Sequence, residues 1–169
     1  MRLFLVAGII SALTSTASQA GPFIGLSLGY EWHRLANAGT IDGPTANAEV
    51  GIYAPEVGGI ISSLSLRYSP NLVNDAMLSS GNQIGVFGAV GFEIRPYHRP
   101  YLRAGWVHST LTIGAKRPVE GPALGFGYVW QNDPQIEYYG EANWIDLAYR
   151  GGDHAVRVHQ FQFGTRYRF

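Results

Sequence analysis

The chain has 169 residues, balances 12 Lys+Arg against 12 Asp+Glu, and contains no cysteine. Zero formal charge with a single lysine, Lys116, excludes the basic footprint of a nucleic-acid binder, and the missing cysteines exclude a disulfide framework. Twenty-two glycines and 13% aromatic residues at a mean hydropathy near zero are unusual for a water-soluble globule. They suit a barrel with small interior residues and an aromatic exterior.

Residues 1–20 have the form of a secretory signal peptide. Met1 and Arg2 give a positive start, an apolar run follows to Leu13, and Ser18-Gln19-Ala20 places small residues where a signal peptidase reads them. Cleavage after Ala20 leaves about 149 residues, the length of one domain. No later segment reaches the ~18–20 apolar residues of a spanning helix, so a membrane form of this chain must be a closed barrel that pairs all its backbone groups internally.

Period-two alternation then recurs along the whole mature chain. Residues 23–32 set Ile24, Leu26, Leu28, Tyr30 and Trp32 against Gly25, Ser27, Gly29 and Glu31. Residues 46–54 set Ala48, Val50 and Ile52 against Asn47, Glu49, Gly51 and Tyr53. In residues 59–68, Leu64, Leu66 and Tyr68 oppose Ser63, Ser65 and Arg67, and in residues 83–94, Ile84, Val86, Val90, Phe92 and Ile94 oppose Gln83, Gly85, Ala89, Gly91 and Glu93. Residues 101–112 are expected to carry Leu102, Ala104 and Trp106 outside and Arg103, Gly105 and Val107 inside, an assignment that a one-residue slip would invert.

Residues 122–130 put Leu124, Phe126, Tyr128 and Trp130 opposite Ala123, Gly125 and Gly127. Residues 136–145 put Ile136, Tyr138, Ala142 and Trp144 opposite Glu137, Tyr139, Glu141 and Asn143. The closing segment, 159–169, puts Phe161, Phe163, Tyr167 and Phe169 opposite Gln160, Gln162, Arg166 and Arg168. The fold class is therefore all-β, an eight-stranded antiparallel up-and-down transmembrane barrel. Short Pro- and Asn-rich turns at 54–56, 95–100 and 131–134 alternate with longer connections at 33–45, 69–82, about 113–121 and about 148–155, the pattern of bacterial single-chain barrels.

The inward positions collect Glu31, Glu49, Glu93, Glu137 and Glu141 with Arg67, Arg103, Arg166 and Arg168, plus Gln83, Asn143, Gln160 and Gln162. Interior charges in so narrow a barrel must be paired, and the near balance of Glu and Arg predicts a self-neutralising plug rather than a single-sign pore.

With its signal-like start, eight dyad-repeat segments and closing Gly164-Thr165-Arg166-Tyr167-Arg168-Phe169, the mature chain resembles the small eight-stranded outer-membrane barrels typified by OmpX and the OmpA membrane domain. The resemblance implies a monomer in the bacterial outer membrane, with no cofactor and a structural or surface-interaction role carried by extracellular loops. Host-surface or envelope components are the implied loop partners, and Phe163, Tyr167 and Phe169 form the signal read by the barrel assembly machinery. Loops 33–45 and 69–82 hold Leu35, Ile41, Leu72, Val73, Met77 and Leu78, apolar residues that mark them as contact surfaces.

Arg34, Lys116, Arg117, Arg150 and Arg157 fall near the extracellular ends, where guanidinium groups would meet lipopolysaccharide phosphates. Some barrels of this size, such as the lipid A deacylase PagL, carry a His-x-Ser pair on the outer wall, and the nearest match here is His108-Ser109-Thr110. It departs from that pattern, since threonine stands two residues after His108 and no acid is evident beside it. A small-solute pore is a third reading. His154 and His159 with Asp146 and Asp153 match no metal-ligand spacing, so no metal is expected, and Tyr97, His98 and Arg99 read as an interfacial turn.

Overall fold

The computed structural model describes residues 20–35, 39–70, 72, 79–113, 115–131, 133–149 and 154–169. Eight long strands form the wall: β1 (Gly21–Leu35), β2 (Gly39–Tyr53), β3 (Ile60–Ser69), β4 (Gln83–Phe92), β5 (His98–Ile113), β6 (Ala115–Gln131), β7 (Ile136–Tyr149) and β8 (His154–Arg168). A two-residue strand, Ser79–Ser80, adds to the top of β5. Each long strand pairs antiparallel with its successor, and β1 pairs with β8, so the sheet closes. No helix occurs among the described residues.

Closure fixes a stagger. A row of directly paired residues starting at Trp32 runs through His159, Trp144, Leu124, Ala104, Gly88, Leu64 and Ile52 and returns to β1 at Pro22, ten residues lower. Such a stagger tilts the strands and leaves an interior that side chains can fill.

The exposed face is the apolar one. Leu26, Leu28, Val86, Leu102, Leu124 and Phe163 are all more than half exposed, while Glu49, Glu137, Glu141, Arg67, Arg103 and Arg166 are buried. Aromatic girdles bound this belt, with Tyr128, Trp130, Tyr138 and Tyr167 at the lower edge and Tyr30, Trp32 and Trp144 toward the upper. Above Trp32 the outer wall turns charged, with Arg34, Glu120, Asp146 and Arg157. Only hydrocarbon makes this distribution favourable, because in water each buried apolar side chain would be worth ~1.5–3 kcal/mol more than an exposed one.

The strands are longer than their alternation alone suggests, and two expected loops are corrected. Residues 33–45 are mostly strand: β1 and β2 stay paired up to Leu35 opposite Gly39. Gly39, Asp42, Gly43 and Pro44 carry turn chemistry. Pro44 nevertheless fits, because β2 pairs with β3 only from Ala48 to Tyr53 and has no ladder on that side to break. Residues 113 and 115–121 likewise belong to β5 and β6, which pair to Ile113 opposite Ala115. Gly121 and Pro122 sit where the β6–β7 ladder is interrupted. Leu35 and Ile41 follow the inward parity of their strands into the interior, so they are not a loop surface. Val73, Met77 and Leu78, like residues 1–19, lie outside the described residues; Leu72 is exposed.

Inside, the barrel is layered. Its upper half holds an apolar cluster of Leu35, Phe87, Val107, Leu111, Val119, Ala123, Ile145, Leu147, Val156 and Val158. Its lower half is polar and aromatic. Two glycines make room for large interior side chains: a methyl on Gly105 would strike the Phe87 ring of the upper cluster, and one on Gly127 the Tyr101 ring below it.

Candidate functional sites in the lumen and on the outer wall

The middle of the lumen is a charge cluster drawn from five strands. Glu49 (β2) stands directly across from Arg67 (β3), and the stagger brings Arg103 (β5), Glu141 (β7) and Arg166 (β8) against them. Arg67 Nη2 donates to Glu141 Oε1 at 2.7 Å; Arg103 donates to Glu49 at 2.6 Å and to Glu141 at 3.1 Å; Arg166 donates to Glu49 at 3.3 Å. All five side chains are almost fully buried.

Three guanidiniums share two carboxylates here, and aromatic rings take part of the excess positive charge. Arg103 lies 4.0 Å from the Phe87 centroid, Arg67 lies 5.1 Å from it, and Arg166 lies 4.1 Å from the Tyr139 centroid. A cation over a desolvated ring gains up to ~2 kcal/mol.

Amides extend the cluster upward. Gln162 donates to Glu141 at 2.7 Å and accepts from Asn47 at 2.6 Å; Asn143 bridges Glu141 and Gln160, and Gln160 reaches Glu31 at 3.4 Å. Glu31 pairs with His33 at 2.8 Å just beneath the apolar layer. Downward, Glu137 receives Arg99 at 2.7 Å, Arg168 at 3.4 Å and the Tyr53 hydroxyl at 2.5 Å.

The inward residues named from alternation thus meet in the lumen, with one correction. Glu93 is exposed at the lower rim, beyond the end of β4, and its carboxylate accepts the Tyr97 N–H at 2.9 Å. Conversely, Arg99 is not a surface turn residue: β5 begins at His98, so Arg99 has the same inward parity as Tyr101 and Arg103. Phe87, Tyr101 and His33 are further members that the strand patterns contained by parity.

On the outer wall the His108-Ser109-Thr110 stretch is split by that same alternation. Ser109 is buried and donates to the Gly81 carbonyl at 3.2 Å, whereas His108 is more than half exposed on the opposite face. An acid absent from the local sequence does stand beside His108: Glu120, its partner across the β5–β6 ladder, with Oε2 3.7 Å from Nδ1. No nucleophile on this face contacts His108 among the described residues.

Arg34 and Arg157 face each other directly across β1 and β8 on the outer wall, and Arg157 is 3.9 Å from Asp146. Lys116 is exposed on the outward parity of β6. Arg117, exposed, has the other parity and stands above Val119, its guanidinium 5.9 Å from the Tyr149 ring. Arg150 and Asp153 lie outside the described residues, and the strand residue His154 is separated from His159, which stands between Trp32 and Trp144 in the girdle. Among the described residues no cluster of potential metal ligands forms. Phe163, Tyr167 and Phe169 point outward, with Tyr167 and Phe169 edge-to-face at 5.2 Å.

No family model matches the chain, and no curated protein matches it. Solved structures do. Neisserial surface protein A (NspA) superposes with a TM-score of 0.67 at 14% identity, over 89% of this chain and 99% of that one. The fold is that of the small outer-membrane β-barrels. Ail, the attachment invasion locus protein of Yersinia pestis, matches at 0.57 and 17% identity over 88% and 99% of the two chains. The N-terminal β-barrel domain of Pseudomonas aeruginosa OprF matches at 0.53 and 13% over 86% and 97%. In outer-membrane barrels generally, the end with short turns is periplasmic and the end with the taller hairpins is extracellular.

Proposed function

We infer that this outer-membrane barrel works as a closed, monomeric display scaffold, its lumen plugged and its extracellular rim available for surface contacts. The observation that carries this is the doubly filled interior. A five-membered Arg–Glu cluster spans the middle of the lumen, and ten apolar side chains pack above it. Passage of a solute would have to break buried ion pairs and part a hydrophobic layer, whereas conducting barrels keep a wide polar channel. A surface role is supported by the tall hairpins that rise beyond the girdle and by a fold shared with proteins named for surface exposure and attachment.

Arg34, Lys116 and Arg157 support contact with lipopolysaccharide, since Arg34 and Arg157 stand just above the Trp32 girdle and Lys116 higher on the same outer face of β6. Phe169 and the alternating aromatics of β8 support recognition by the barrel assembly machinery. Planar-bilayer recording tests the closed lumen: the reconstituted protein is expected to show no discrete conductance, and reproducible unitary steps would overturn it. Replacing Arg34, Lys116 and Arg157 together with Gln is expected to remove the stability gained from added lipopolysaccharide. An undiminished gain would refute the contact.

A further inference from the structure

The periplasmic end of the barrel, which plays no part in display, encloses a vestibule of about 400 Å³ whose lining includes Glu93, Tyr97, Arg99, Gln131 and Arg168. Its inner wall carries two guanidiniums that share one carboxylate. Arg99 is nine-tenths buried and spends one Nη2 bond on Glu137 Oε1 at 2.7 Å, while Arg168 brings a second guanidinium to the same oxygen at 3.4 Å. The other oxygen of Glu137 accepts the Tyr53 hydroxyl, and both guanidiniums lie over the Tyr53 ring, at 5.5 and 4.7 Å. Tyr53 and Glu137 therefore hold two planar five-donor groups side by side on the wall of an open cavity.

The lip of the vestibule carries an independent mark. Tyr97 has φ = 72°, the one non-glycine residue with positive φ among those described, and a bulky side chain is strained in that region. Two hydrogen bonds hold it there: its N–H donates to Glu93 Oε1 at 2.9 Å, and its carbonyl accepts the Gln131 N–H at 2.9 Å. This draws the Glu93 carboxylate onto the lip backbone, and it joins the β4–β5 turn to the end of β6. Strain held in place by its surroundings clusters at ligand clamps. Phe169, 69% exposed, also lines the vestibule, so the opening lies at the level of the membrane surface.

We propose that this vestibule binds a phosphate group, held by the guanidiniums of Arg99 and Arg168 at the periplasmic face. Guanidinium forks match phosphate oxygens bidentately, and the group has two sources: a phospholipid headgroup of the adjoining leaflet, or free phosphate in the periplasm.

The test is a 31P NMR titration of the full barrel in phosphorus-free maltoside micelles, with inorganic phosphate in one arm and phosphatidylglycerol in the other. Saturable broadening with inorganic phosphate assigns a soluble ligand, and saturable broadening with the lipid alone assigns the headgroup. Arg168→Gln, at the partly exposed rim, is expected to weaken binding about tenfold. Arg117→Gln, at the far end of the barrel, is expected to leave it unchanged. Arg99→Gln should act like Arg168→Gln if it folds; Arg168→Gln decides the matter if it does not. No saturable response in either arm, or wild-type affinity in Arg168→Gln, overturns the proposal.

Discussion

Replacing Glu141 with Gln tests the account of the lumen most directly. The side chain is fully buried and receives Arg67 at 2.7 Å, Arg103 at 3.1 Å, the Tyr101 hydroxyl at 2.5 Å, Gln162 at 2.7 Å and Asn143 at 2.8 Å. Gln keeps the volume but not the charge, so Arg67, Arg103 and Arg166 would share Glu49 alone. Removing one partner of a buried ion pair costs about 3–5 kcal/mol, which lowers the folding equilibrium constant by roughly two to three and a half orders of magnitude. Urea titration in maltoside micelles, read by tryptophan fluorescence and by the gel mobility of the folded barrel, measures this as a fall in midpoint at constant slope. Adding Arg103→Met to Glu141→Gln brings the cluster back to one excess positive charge and should recover part of the loss. A single-variant cost below about 1 kcal/mol, or a double variant no more stable than the single one, would refute the reasoning.

Three further outcomes are expected. Leu26→Arg, on the lipid face where Leu26 is 68% exposed, should cost about 2–4 kcal/mol in vesicle refolding, whereas Ile60→Arg at the periplasmic edge should cost about 0–1 kcal/mol; equal costs would place the bilayer elsewhere. Phe87→Ala removes the ring between the apolar layer and the guanidiniums of Arg67 and Arg103. It should cost about 3–5 kcal/mol and give measurable conductance in planar bilayers; a silent variant of full stability would contradict the layered plug. Deleting Phe169 should slow assembly in cells without changing the stability of barrel refolded in vitro, and normal insertion of the truncated chain counts against its signalling role.

The strands were legible because membrane burial leaves a period-two trace that needs no tertiary information. Leu26 and Leu28 alternate with Gly25, Ser27 and Gly29, and the exposures follow that parity, including that of residues 101–112. The upper ends were not legible. Gly39, Asp42, Gly43, Pro44, Pro118 and Gly121 are turn formers in any local reading, yet pairing with β1 or β5 along one edge suffices to hold them extended. Arg99 was obscured by the neighbouring Pro96 and Pro100, which end the pattern before the strand does. Glu93 was misplaced for the opposite reason: its parity continues past the last residue that has a wall to face.

By itself the sequence determined that this chain forms an eight-stranded barrel with lipid outside and charge within, because alternation, turn spacing and composition are local properties read one strand at a time. Which charges meet was decided only by closure. The ten-residue stagger carries Glu49, Arg67, Arg103 and Glu141 to one level and leaves Glu31 with His33 beneath an apolar layer. That layer was equally invisible, since Val107, Leu111, Val119, Ile145, Leu147, Val156 and Val158 come from four different strands and form a core only once the sheet has curled and joined β8 to β1.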